Sequence, residues 1–340
     1  LLAAALAAAP ARAQNAPPLG RPKTYAVLIL AYDVDVKWRQ EIGNLRGQLK
    51  DRSIESVDNA ADAISVQRAL DKLAARGVDK VVAVPIETVS GSARLNMTRY
   101  MFGVIADPVL DKPGSSSDDL ADKKMKPLRP KVKSMLVLPK DQNRGLGLTM
   151  GGDVSTLKRL ASPVPLVLAP ALDKSPLLVA ILADRAKALT PTPGRESLVL
   201  AGIGPRDDDA LKDWKIGAQA IAEAVGRKAG FRRAVAVAVR DGVRSGQQDK
   251  DRGELQATFR GLAREGRVCV VPLSPEAERV GALLKKTFGG FFAYRWKGEG
   301  IQGDRRLLDW IKASIKESAV LPDGRQYKDA ASFAAPGGLR

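Results

Sequence analysis

The sequence predicts an α/β protein of two similar domains, each a parallel sheet flanked by helices. Three observations predict it. Short apolar runs alternate with helix-patterned stretches along most of the chain, and parallel strands need crossovers of that kind. Runs such as Tyr25–Ala31 and Ala234–Val239 are continuously apolar, as strands covered on both faces are. A segment also recurs. Ala75-Arg-Gly77 followed by Val81-Val-Ala-Val-Pro-Ile86 lines up with Arg264-Glu-Gly266 followed by Val268-Cys-Val-Val-Pro-Leu273. In both, a helix stops at glycine and a buried strand runs into proline.

The elements follow in order. Tyr25–Ala31 reads as a buried strand. Val36–Leu49 reads as a helix, with Val36, Ile42, Leu45 and Leu49 on one broad face. Ser53–Val57 is a short strand. Asp58 and Asn59 are the capping residues expected for a helix over Ala60–Arg76, with Ile64, Leu70 and Leu73 at helical steps. Lys80–Pro85 is the next strand and Ala93–Gly103 a short helix. Val164–Ala169 completes the first sheet, and Pro176–Leu189 is its last helix. The second half repeats the plan. Ser197–Ala201, Ala234–Val239, Arg267–Pro272 and Phe291–Trp296 read as strands. Asp207–Lys228, Gly253–Arg264, Glu276–Thr287 and Arg305–Lys316 read as helices. Asp207-Asp-Asp209 is most simply a helix start that favours the positive end of the dipole. The two domains are expected over 24–190 and 195–318, a division that 340 residues allow.

Three segments stand outside this plan. Leu1–Ala13 is Ala/Leu-rich and ends in Ala11-Arg-Ala13. It reads as the remnant of a signal peptide cleaved before Gln14, so a periplasmic or secreted protein is expected. About 111–160 is an insertion rich in Pro, Ser, Asp and Lys, expected to be mobile, with Ser134–Pro139 as an added strand. Its glycines at 145, 147, 151 and 152 lack the Lys-Ser/Thr ending of a phosphate loop. Residues 321–340 are polar and Gly/Pro-punctuated, and a flexible tail is expected there.

Composition excludes several chemistries. The chain has no histidine, which removes a Ser-His-Asp triad, a His-based metal site and an imidazole base. Its one cysteine, Cys269, lies in a strand pattern and is expected in the core. The net charge of +17 points to anionic partners or to solubility. No zinc-finger, RNP or helix-turn-helix pattern accompanies it, so nucleic acid is not expected. No later run is long and apolar enough to span a membrane.

Candidate site residues cluster after the strands, where open parallel sheets bind ligands. Asp33 and Asp35 follow the first strand and suit either helix capping or metal binding. Glu87 follows the third strand and suits either a solvated loop or a site carboxylate. Tyr32 can supply a phenolate, a stacking face or simple packing. Arg94, Arg99, Arg206 and Arg244 fit either a polycarboxylate-binding cleft or scattered surface.

Several stretches resemble the sirohydrochlorin cobaltochelatase/ferrochelatase family. They are Ala31-Tyr-Asp33, Ala60–Leu70, Val84-Pro85 with Val89-Ser-Gly-Ser92, Ala171–Leu182, Ala201-Gly-Ile-Gly-Pro205 with Trp214, and Gly298–Ile311. The resemblance covers nearly the whole chain after the signal except about 111–160. It implies the class II chelatase fold, with two α/β domains facing each other across a cleft. It also implies insertion of divalent cobalt or iron, as substrate rather than permanent cofactor, into an anionic tetrapyrrole. The family's histidine positions fall at Tyr32-Asp33, at Gly91 followed by Ser92, and at Ile203-Gly204-Pro205. Together with the residue reading above, the catalytic candidates are Tyr32, Asp33 and Glu87, with Asp33, Asp35 and Glu87 as metal candidates. The substrate-binding set is Gly91, Ser92, Arg94, Arg99, Ile203, Gly204, Arg206 and Arg244. With every imidazole replaced, metal insertion is expected to be impaired. The alternative is a non-catalytic exported protein that binds a tetrapyrrole, a metal or another small anion in the same cleft.

Overall fold

A computed structural model describes residues 24–32, 36–106, 158–289 and 293–328. Leu1–Ala13, Asp33, Asp35, the expected strand Ser134–Pro139, the glycines at 145–152 and residues 329–340 lie outside the described residues, as does nearly all of the insertion.

The first sheet is parallel throughout. Its central strand β1 (Tyr25–Leu30) lies between β2 (Ile54–Val57) and β3 (Lys80–Pro85), and β4 (Leu166–Leu168) adds to the far side of β3. The second sheet repeats the order, with β5 (Ser197–Ile203) between β6 (Arg233–Val239) and β7 (Val268–Pro272). The recurring sequence segment therefore supplies corresponding strands, β3 beside β1 and β7 beside β5. Pro85 and Pro272 break no ladder. The amides of Val81 and Val270 point to the outer neighbour, toward the Pro165 and Arg295 carbonyls. Alternation aims the two prolines the same way, but that neighbour has already ended.

The expected strand Phe291–Trp296 is reduced, among the described residues, to a single parallel bridge between Arg295 and Cys269. Gly298, at φ 71°, turns the chain away directly afterwards. Cys269 is in the core as expected. Its thiol donates to Glu196 at 3.1 Å, and burial pushes it up to about 12.

Both faces of each sheet are covered, which is why the strands read as unbroken apolar runs. In β1, Ala26, Leu28 and Leu30 face the core built on α2 (Ala63–Ala74), while Val27 and Ile29 face the other way. The cap of α2 is Asp62, which accepts from the Ile64 and Ser65 amides, rather than Asp58 or Asn59. Asn59 instead closes the preceding turn on the Ala61 amide. Ile64 is half exposed, since the buried stripe runs through Ala63, Val66, Leu70 and Leu73 at three- and four-residue steps. In α1 (Val36–Gln48), Trp38 joins Ile42 and Leu45 as the buried anchor.

The closing helices are exchanged between the halves. The expectation gave Pro176–Leu189 to the first sheet, yet α4 (Pro176–Lys187) packs chiefly on α5 (Asp208–Ala229) and reaches β7. The C-terminal α8 (Arg305–Ala319) packs on β3 and β4 instead. Val27, Ile29 and Val84 thus share one core with Leu198, Leu200, Val271, Trp310 and Ile311. Each fully buried aliphatic chain contributes about 1.5–3 kcal/mol, so this shared layer holds the two halves together. The second outer face is covered by α6 (Ser245–Glu265) and α7 (Ala277–Phe288), through Leu255, Phe259, Leu284 and Phe288. The helix α6 begins well before the expected Gly253, across a polar stretch with no apolar period to announce it.

Residues 321–328 are tied down rather than free, against the expectation of a flexible tail from 321. The Gly324 amide donates to the Leu166 carbonyl at 2.8 Å, and Asp323 accepts from the Leu166 amide at 3.3 Å. The Gln326 and Tyr327 amides both donate to Gly103. This strap covers the free edge of β4, whose backbone groups would otherwise be open to pairing. Among the described residues no helix is long and apolar enough to cross a membrane.

Candidate functional site

Three strands deliver their following loops to one place. Beyond β3 come Ile86 and Glu87; beyond β5 come Gly204, Pro205 and Arg206; beyond β7 come Leu273, Ser274 and Glu276. Between them lies an open cleft, with Glu87, Ser92 and Arg94 on one side. Ile203, Gly204, Arg206, Asp241, Ser274 and Arg279 form the other. Parallel sheets bind ligands at this edge because the strand-end loops and helix starts converge there.

Local sequence fixes each side chain. Ser92 caps α3 (Ala93–Met101), its hydroxyl accepting from the Leu95 amide at 3.1 Å, and this sets Arg94 at the first turn. Gly204 has no room for a side chain, since a Cβ would stand 2.6 Å from that of Ala238. Arg206 is braced by its Nε donating to the Asp241 carbonyl at 3.0 Å. Below it the buried Arg240 donates to the Arg206 carbonyl, to Asp208 and to Asp251.

The floor of the cleft is charged. Arg94 forms a buried ion pair with Glu276, and Ser274 Oγ donates to Glu276 Oε2 at 3.1 Å. Glu87 is buried, with Oε1 accepting from the Thr88 amide at 2.9 Å. Burial pushes its carboxyl up. Arg94, the Thr88 amide and the Ser92 hydroxyl pull back, and Glu276 adds to the rise.

Six of the expected residues meet here: Glu87, Ser92, Arg94, Ile203, Gly204 and Arg206. Tyr32 does not reach the cleft. It lines a smaller chamber behind Arg94, its hydroxyl 2.8 Å from that of Thr98. Burial, and then the Glu87 carboxylate, push its phenol well up, which disfavours a phenolate there. Gly91 packs against the Asp213 and Trp214 backbone instead of facing ligand space. Arg99 braces the loop from behind, donating to the Ser90 carbonyl at 2.8 Å and to Asn96 at 2.9 Å. Arg244 is exposed at the start of α6 and does not line the cleft. Proximity in sequence to a strand end suggested it, but the helix start carries it outward.

Sequence reasoning missed Ser274, Glu276, Asp241 and Arg279. The internal repeat held a signal for one of them: carried one residue beyond Pro-Ile and Pro-Leu, it sets Ser274 opposite Glu87. Among the described residues no three acidic or cysteine side chains gather to hold a metal ion. Glu276 is already paired with Arg94, and that guanidinium opposes a second cation there. The cleft is thus equipped to take carboxylates on its arginine forks and to exchange hydrogen bonds at Glu87.

The class defined by this fold and site is a parallel α/β protein of two like halves with an open cleft between their strand ends. No family model matches the chain, and no curated protein matches it by sequence. Solved structures similar to it include SirB from Bacillus subtilis with Fe3+, at 11% identity and TM-score 0.47, over 87% of this chain and 96% of that one. Another is the sirohydrochlorin chelatase SirB from Bacillus subtilis subspecies spizizenii in complex with cobalt, at 12% and 0.44, over 90% and 100%. A solute-binding protein of an ABC transporter system from Conexibacter woesei aligns at 14% and 0.32, over 89% and 100%.

Proposed function

We propose that the cleft binds a small polycarboxylate, an anionic tetrapyrrole of the sirohydrochlorin type, and that this chain is a binder in which metal insertion is slow or absent. One observation carries the reading. The guanidinium side chains of Arg94, Arg206 and Arg279 surround a single cleft whose wall is the apolar Ile203. That combination suits a flat ring with carboxylates on its rim, held by forks at the edge and by contact over the face. The sequence resemblance supports the ring class. Insertion would need a base to accept pyrrole protons and a transient metal site. Two carboxyls line the cleft, Glu87 and Asp241, and no imidazole accompanies them. Cobalt or ferrous iron would enter as substrate. Export to the periplasm or beyond belongs to the same proposal and rests on Leu1–Ala13.

The test is an absorbance titration of the purified chain with sirohydrochlorin, with and without Co2+ or Fe2+. A saturable spectral shift without turnover is expected. Arg279→Ala should weaken it about tenfold or more, the cost of a lost charged hydrogen bond. Fast metal-dependent turnover would overturn the binder assignment, and no spectral change at any concentration would overturn the ligand class.

A further inference from the structure

The Arg94–Glu276 ion pair crosses from one half of the protein to the other. Arg94 stands on α3 beside the first sheet, and Glu276 stands between β7 and α7 on the second. The side chains are 11% and 3% exposed. Behind the pair is a second, small chamber with room for about one water molecule, walled by Tyr32, Trp38, Ile86 and Pro275. Glu87 and Arg94 line both spaces, so with Glu276 they form the partition between cleft and chamber.

Glu276 thus holds the Arg94 guanidinium from the other half of the chain, and the same guanidinium acts electrostatically on the buried Glu87. The Arg94 guanidinium also lies 5.6 Å from the centre of the Tyr32 ring, on the chamber side. Glu276 already has a second partner in the Ser274 hydroxyl, on the wall of the outer cleft.

We infer that Glu276 stands in for a ligand carboxylate: it occupies Arg94 until a ligand carboxylate displaces it, and that exchange opens the partition between the halves. The inference rests on the anion-binding reading of the cleft and adds to it the residue that selects the ligand. Exchanging one carboxylate for another on a guanidinium preserves the buried charge balance, whereas a neutral group would leave Arg94 and Glu276 apart without compensation. Glu276 therefore admits carboxylates and rejects neutral rings of the same shape. Glu87 stays beside Arg94 throughout, and Ser274 keeps Glu276 hydrogen-bonded as it swings out.

The test uses uroporphyrin, an octacarboxylate porphyrin, titrated by fluorescence into the full chain and into Glu276→Gln. The variant should bind about tenfold tighter, because removing an internal competitor removes the fraction of molecules closed to the ligand. In the ligand-free variant, amides in the first turn of α7 should exchange faster with solvent. Binding by both proteins with equal affinity would overturn the inference and leave the cleft reading intact. Binding by neither would overturn the cleft reading. The inference falls with it, and unchanged α7 exchange would sink the inference on its own. Should the Gln variant not fold, Glu276→Asp keeps the charge but shortens the reach, and it is held to the same two outcomes.

Discussion

The Ser90 amide and hydroxyl both donate to the Asp173 carboxylate, at 2.8 and 2.7 Å. This joins the loop after β3, which carries Glu87, to the turn that opens α4. The Leu172 amide adds a bond to the Glu87 carbonyl at 2.8 Å. The backbone under the candidate site is therefore held by a contact far from it in sequence. Asp173→Ala should lower stability by about 2 kcal/mol, as hydrogen bonds to a charged acceptor do when both donors are orphaned. It should also loosen ligand binding. Urea denaturation measures the first effect, and an unchanged midpoint would contradict it.

Two glycines on helices should respond in opposite ways. A Cβ at Gly226 of α5 would collide with that of Ala234 on β6, so Gly226→Ala should cost about 1–3 kcal/mol by overpacking. At Gly43 of α1 nothing stands within 4 Å, and alanine there should add about 0.5–1 kcal/mol through helix propensity. Thermal unfolding of the two variants checks the pair, and a shift of the same sign in both would contradict the geometry.

Glu87 should make the protein less stable as pH rises. Its folded carboxyl is raised above the ordinary value of 4.5, chiefly by burial. Between that value and the raised one, the folded chain keeps a proton that the unfolded chain has released. Stability is therefore full below the ordinary value and falls across the window. Glu87→Gln should flatten this slope and raise stability at neutral pH, with Glu276 still neutralising Arg94. Denaturant melts from pH 4 upward read it out, and an unaltered slope would refute the assignment.

Asp323 should behave in the reverse sense. Burial alone would raise it, but the Arg325 side chain and amide, with the Leu166 amide, outweigh that and hold it well below 3.8. Its contribution is present above the ordinary value and lost as pH falls toward the folded one. Asp323→Asn should cost about 1–3 kcal/mol at neutral pH and soften the loss in acid. It should also speed exchange of the Gly324 amide, which now donates to Leu166. Full retention of Gly324 protection would show that Asp323 does not anchor the strap.

Much of the fold was legible because strands covered on both faces announce themselves. Tyr25–Leu30, Lys80–Pro85 and Val268–Pro272 are runs dominated by Ala, Val, Leu and Ile. The start of α6 was not legible, since Ser245 to Arg252 carries no apolar residue to set a period. Ile64 misled because an exposed isoleucine looks the same in sequence as a buried one. In the site, Glu87, Arg94 and Arg206 were marked by residue type near strand ends, whereas Ser92, Ile203 and Gly204 were marked only by the family resemblance. Arg279 sits in the second residue pair of a helix and reads there as an ordinary solvated charge.

The sequence by itself determined the alternation of strands and helices, the parallel sheets, the internal repeat and the absence of imidazole chemistry. All of these depend on residue type and on spacing within a few positions, where pleat and helix period act directly. Only the tertiary structure decided that α4 and α8 change sides and that residues 321–328 seal the edge of β4. It alone also set Arg94 against Glu276. Those outcomes depend on which surfaces meet when two sheets share one core. The energy of a buried charge is fixed by the partner that arrives from the other half, a distance in space that no local pattern encodes.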